Sequence, residues 1–173
     1  MNVEILKNLT TELKAFLNKE SVLIHDIIRS EQAGDKPQLP YCSYKITSKD
    51  NLNYNNRKQT HNADPTKYSE SLVRKEKIII SFIILGLNIF ELYKIADLCY
   101  DFLNIESSEF QRANQIKIEL LNQVQDRSIF LETDYENRVG FDFEIRGNGE
   151  LIRTIDAVDL NSTTNQVQLN ILD

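Results

Sequence analysis

An α+β fold, with a mostly antiparallel sheet of six or seven strands and two helices packed on one face, is what this 173-residue sequence predicts. Three features point there. Two segments repeat apolar residues at helical spacing, and several others alternate apolar and polar residues at the two-residue period of a strand. Glycine and proline are scarce, five and three, so turns are few and elements long. The length suits a single domain spanning residues 1–173.

The elements follow in order. Leu6, Leu9, Leu13, Phe16 and Leu17 form one amphipathic stripe, which predicts a first helix over Val3–Leu17 that ends near Asn18–Ser21. Val22–Ile28 is rich in β-branched residues and favours a short strand, with a helical turn as the alternative. His25 beside Asp26 has no nucleophile for company and reads as structural. Gly34, Pro37 and Pro40 make Arg29–Pro40 a loop, and Pro40 biases Leu39 towards extended backbone ahead of a strand over Tyr41–Thr47. Cys42, Tyr44 and Ile46 share one face of that strand.

Ser48–Tyr68 is polar and rich in Asn, and is expected to be a long, flexible hairpin tip. Ser71–Leu87 returns as a strand whose first part is charged (Arg74, Lys75, Glu76, Lys77) and whose centre, Ile78–Leu85, is apolar on both faces. A strand pair half buried and half charged is expected to act as an arm that reaches a neighbour. Asn88, with Glu91 three residues on, resembles a capping box and opens a second helix. Its stripe is Ile89, Leu92, Ala96, Cys99 and Leu103, its end lies near Asn104, and Glu106–Asn114 reads as a polar link. Ile116, Ile118 and Leu120 then mark a strand. Further on, Gly147-Asn148-Gly149 is expected to be a hairpin turn, Leu151–Leu160 the returning strand, and Val167, Leu169 and Ile171 a last one.

The most informative stretch is Phe130–Arg146. Val139, Phe141, Phe143 and Ile145 point one way, while Arg138, Gly140, Asp142, Glu144 and Arg146 point the other. Glu132, Asp134 and Glu136 crowd three acids around Tyr135 at its approach, more than a core strand requires. The run Glu132, Thr133, Asp134, Tyr135, Glu136, Arg138, Gly140, Phe141 resembles the signature of the phage neck or tail terminator family, and Pro40, Tyr41 and Tyr44 are similar to the proline-led strand such proteins carry after their first helix. The resemblance implies a tail-terminator-like α+β subunit of a tailed phage or phage-like particle. It would form a six-membered ring that caps the tail tube, ends its polymerisation and joins it to the head. The implied partners are further copies of itself, the tail tube protein, a head-completion or connector protein, and passive contact with DNA in the channel. The implied place is the virion neck, after assembly in the bacterial cytoplasm, with no cofactor and no membrane.

Charge agrees with a protein that works through its contacts. The net charge of −6 speaks against a dedicated nucleic-acid binder. Within residues 41–80 eight Lys or Arg face four acids, whereas residues 126–173 hold four Arg and ten acids. Such segregation suits a head-to-tail contact between identical subunits. Candidate contact residues are therefore Arg57, Lys58, Lys67, Arg74, Lys75 and Lys77 on one side, and Glu132, Asp134, Glu136, Asp142 and Glu144 on the other.

Other function classes find little support. Cys42 and Cys99 lack metal spacing and read as reduced core residues. The start, MNVEILKNL, lacks the basic region of a secretion signal, and the apolar run Ile78–Leu87 is too short to span a bilayer. The sequence has neither a phosphate-cradling glycine loop nor a nucleophile elbow. Asp142, Glu144 and Arg146 loosely echo the acidic strand of metal-dependent nucleases, the alternative from a different class. That chemistry favours a lysine where Arg146 stands, because a guanidinium stays protonated. Within the structural class, another head–tail connector or a baseplate subunit is the alternative.

Overall fold

Two alternating strands build the floor of the core. On β3 (Lys67–Gly86), Ile78, Ile80, Phe82 and Ile84 are buried, and on β7 (Asp134–Asp156), Val139, Phe141, Phe143 and Ile145 are buried. Above them lies α1 (Glu4–Lys19), whose Leu6, Leu9, Leu13 and Leu17 recur at helical spacing and face the sheet. Beside it, α2 (Ile89–Asp101) contributes Leu92, Ile95, Ala96 and Cys99. Asn88 caps this helix: its side chain accepts a hydrogen bond from the Phe90 amide at 3.0 Å. Aromatic contacts join the layers, with Phe16 of α1 5.3 Å from Phe102 and Tyr100 of α2 edge-on to Phe141 at 5.4 Å. Burying Phe141 alone stabilises the fold by about 2–3 kcal/mol.

This computed structural model describes residues 4–32, 34–61, 67–131 and 134–156, with side chains described outside 51–70, 72, 74, 134 and 150–156. The sheet order is β1 (Ile27–Arg29), β2 (Tyr41–His61), β3, β7 and β4 (Lys117–Leu120), with β5 (Gln125–Asp126) and β6 (Ile129–Leu131) also paired to β7. β1 runs parallel to β2, Ile27 opposite Cys42, whereas β4, β5 and β6 run antiparallel to β7. Cys42 and Cys99 are both free and fully buried, and burial beside Cys99 pushes the Cys42 thiol up.

The fold is the expected α+β arrangement, with several local differences. The strand expected over Val22–Ile28 is only Ile27–Arg29, because the preceding residues are held as a loop: Lys14 of α1 donates to the His25 carbonyl at 3.0 Å and pairs with Asp26 at 3.1 Å. β2 continues through the polar residues after Thr47 as far as His61, since backbone pairing with β3 does not require apolar side chains. Residues 62–66 of the expected hairpin tip lie outside the described residues. The expected polar link after α2 holds a third helix. A π-helical turn, Phe102–Glu106, leads to α3 (Ser108–Ala113). Buried Ser107 donates to the Leu103 carbonyl, and Gln111 donates to Ser107 while accepting from the Ile118 amide, so α3 is tied to β4 by side-chain hydrogen bonds.

The hairpin turn expected at Gly147-Asn148-Gly149 does not occur. The backbone is extended there, and the return strand expected from Leu151 is the continuation of β7 as far as Asp156. Gly149 serves a close approach instead: a Cβ there would sit 2.4 Å from Oε1 of buried Glu76 on β3. Residues 157–173, including the expected last strand, lie outside the described residues.

Chain contacts group into two units. One comprises Met1–Asn53 and Lys75–Gly149 and holds the core just described; the other comprises Tyr54–Arg74 and Glu150–Asp173 and contains the far ends of β2, β3 and β7.

Gly140 is the tightest point of the β3–β7 seam, where a Cβ would lie 2.3 Å from the Phe82 carbonyl oxygen. Backbone cannot swing aside as a side chain can. Gly140→Ala is therefore expected to cost about 1–3 kcal/mol, read as a lower urea midpoint. An unchanged midpoint would show that the two strands do not approach this closely.

Candidate interaction surface

The side of β7 turned away from the helices carries its charge, and each described charge there has a partner. Asp142 is the hub. Its Oδ1 accepts from Arg127 at 3.0 Å and its Oδ2 from Asn122 at 2.8 Å, while its own amide donates to Asn122 at 2.7 Å. Arg127 also donates to Ser81 on β3 at 2.8 Å. These bonds hold the segment between β4 and β6 against the sheet, aided by the Arg127 amide on the Arg138 carbonyl at 2.8 Å. Burial opposes ionisation of Asp142, but hydrogen bonds from Arg127, Ser81 and Asn122 outweigh it and hold the carboxyl below its usual range.

Two further clusters flank this hub. Across β4 and β7, Glu119 faces Glu144 and Lys117 faces Arg146. Like charges directly opposite would repel, but Arg146 pairs with both Glu119, at 3.6 Å, and Glu144, and Lys117 pairs with Glu119 at 3.7 Å. Glu144 is only 3% exposed. Towards the start of β7, Glu136 accepts from Arg138 and lies 3.5 Å from Lys36. Partial burial again opposes its ionisation, and the two cations lower its pKa overall. Beside this cluster a cleft of about 530 Å³ opens on the sheet, floored by Tyr41, Ile83 and Leu85 and rimmed by Lys36, Lys45 and Arg138.

The expected contact residues are thus dispersed. On the acidic side, Glu136, Asp142 and Glu144 sit in three separate ion-pair clusters. Glu132 and Thr133 lie outside the described residues, as does the side chain of Asp134. On the basic side, Lys77 lies 3.6 Å from Asp50, and Lys75 is exposed. The side chains of Arg57, Lys58, Lys67 and Arg74 are not among those described. The signature residues divide by role: Phe141 is core, Gly140 is the strand approach, Arg138 holds Glu136, and Tyr135 is exposed.

Charge reasoning missed an apolar feature. Leu87 is 83% exposed, Phe90 76%, Tyr135 64% and Phe130 61%. Phe130 and Tyr135 are cross-strand partners with rings 5.0 Å apart. Asn137 donates to the Leu87 carbonyl at 2.8 Å, which joins this hairpin to the turn before α2. The signal was present for Phe90, which falls off the apolar stripe of its own helix.

Residues 7–168 match the sequence family described as phage neck terminator protein. No curated protein matches the chain. Among the described residues, no helix is long and apolar enough to cross a membrane.

The Asp142 hub has a pH signature. Asp142, Glu136, Asp26 and Asp126 all have lowered pKa values in the folded chain. Their stabilisation is therefore complete above the unfolded carboxylate range, near pH 4, and fades as pH falls further. Arg127→Ala is expected to cost about 2 kcal/mol at neutral pH and to flatten the fall in stability between about pH 4 and pH 2. Denaturant titrations across that range check this. Equal slopes for the two proteins would mean that Arg127 does not set the Asp142 pKa.

Proposed function

The chain belongs to the phage neck terminator family, and on that premise we propose that its copies form a ring, a hexamer, which caps the tail tube and joins it to the head. The observation that carries this reading is the match over residues 7–168, nearly the whole chain. The family is a structural one. The work is accordingly done by surfaces: one ring face fits the last ring of the tube, and the other offers no face on which a further tube ring could add. The tail tube protein and a head-completion protein are the neighbours on either side, and DNA passes through the channel.

One feature of the chain supports assembly through contacts. Its charge is segregated, basic in residues 41–80 and acidic in residues 126–173, as head-to-tail association of identical subunits favours. Passage of DNA favours a channel wall with few unpaired cations, because strong phosphate pairing would hold the genome in place. A nuclease on the same strand would use carboxylates that already share a cation, Asp142 with Arg127 and Glu144 with Arg146.

The proposed contact sets the basic strand pair (Arg57, Lys58, Lys67, Arg74, Lys75, Lys77) against the acidic stretch of the next copy (Glu132, Asp134, Glu136, Asp142, Glu144). Glu136, Asp142 and Glu144 can take part only by sharing their own cations. Single exposed pairs contribute little, so the group decides. Reversing Arg74 and Lys75 together to Glu is expected to weaken self-association about tenfold or more, and raising salt from about 0.05 to 0.5 M to act in the same direction. Light scattering measures both, and an oligomer unchanged by either treatment would remove the electrostatic contact. Electron microscopy of purified protein mixed with tail tubes tests the capping itself: tubes left bare at both ends would refute it, as would DNA cleavage in Mg²⁺ for the absence of catalysis.

A further inference from the structure

We infer that the exposed residues Leu87, Phe90, Phe130 and Tyr135 are the apolar centre of the contact between copies, and that they receive the cationic segment 57–77 of a second copy. This rests on the ring reading above and names its interface. Single exposed apolar residues are ordinary, but four large ones brought together are not. Asn137, two residues past Tyr135, donates to the Leu87 carbonyl and so ties the two halves to each other. Both halves are braced locally. Phe90 stands on the capped first turn of α2, and Phe130 and Tyr135 brace each other across the hairpin of β6 and β7. Aromatic anchors already held in place lose little entropy on docking and are typical of interface hot spots.

Charge identifies the occupant. Exposed Glu91 adjoins Phe90, Glu136 follows Tyr135, and the sequence adds Glu132 and Asp134 on the approach to Tyr135. The matching segment of the same chain, residues 57–77, holds six Lys or Arg against Asp64, Glu70 and Glu76, together with Tyr68 and Leu72. Cationic side chains laid over aromatic rings and beside carboxylates satisfy both features of the patch. Patch and strand pair are different residues, so each copy offers one to each neighbour. A contact of that type closes into a ring where the rotation between copies closes, and otherwise runs on as a filament.

The test uses the full chain. Leu87→Ser with Phe90→Ser, and separately Phe130→Ser with Tyr135→Ser, are compared with wild type by sedimentation, with circular dichroism to verify folding. Each pair is expected to weaken self-association at least tenfold; if the hairpin pair misfolds, the Leu87 and Phe90 pair decides. Zero-length carbodiimide cross-linking of isotopically mixed protein should join Glu91 or residues 132–136 of one copy to Lys58, Lys67, Lys75 or Lys77 of another. Folded variants that assemble like wild type overturn the inference, and so do cross-links that fall elsewhere. Variants that still form rings but no longer bind tube ends would place the tube on the patch, overturning this inference while leaving the ring reading intact. A wild-type chain that stays monomeric under all conditions would overturn both.

Discussion

The backbone of β3 and the backbone of β7 meet so closely at Gly140 that no side chain fits between them, and the rest of the body depends on that approach. It sets Phe82 and Phe141 at 5.6 Å between ring centres and lets Val139, Phe141 and Ile145 be buried completely. The same approach brings Ser81 within reach of Arg127, which carries the Asp142 hub. One glycine therefore couples the apolar side of the sheet to its polar side. A looser seam would forfeit dispersion contacts in the core and the hydrogen bonds that hold the segment between β4 and β6.

The polar side is organised for stability. Asp142 pairs with Arg127, Glu136 with Arg138, and Lys117, Glu119, Glu144 and Arg146 pair among themselves within the subunit. Such charges can be set beside a neighbour or a channel without being left unpaired, because their solvation is replaced in advance by fixed partners. The exposed aromatic and aliphatic residues near Leu87 are what that pairing leaves out. In the proposed ring, that is the surface with something to gain from contact.

Much of the fold was legible where one element's own residues specify it. The leucine stripe of α1, the Asn88 cap of α2 and the strict alternation of β7 each arise within a few residues of chain, and each stands as expected. Features settled by a distant partner were not legible. Gly147-Asn148-Gly149 has the residues of a hairpin turn, yet its backbone is extended and Gly149 lies against Glu76, far away in sequence. The six residues of α3 have little apolar periodicity, and Gln111 holds them through β4. Asp142 and Glu144 look alike in an alternating strand, yet one is a hydrogen-bond hub and the other is nearly inaccessible.

The order of residues alone determined the fold class, the helix boundaries near their caps, the buried face of the central strand, the uneven charge and the signature that marks the family. These depend on local period, local hydrogen bonding and composition, which travel with the chain wherever it goes. Tertiary structure alone decided which carboxylates are already neutralised by cations, which glycines mark a close approach, and which apolar residues remain in water. Each of those is a relation between residues far apart in sequence, and only packing brings the two partners to within a hydrogen bond or a van der Waals contact of each other.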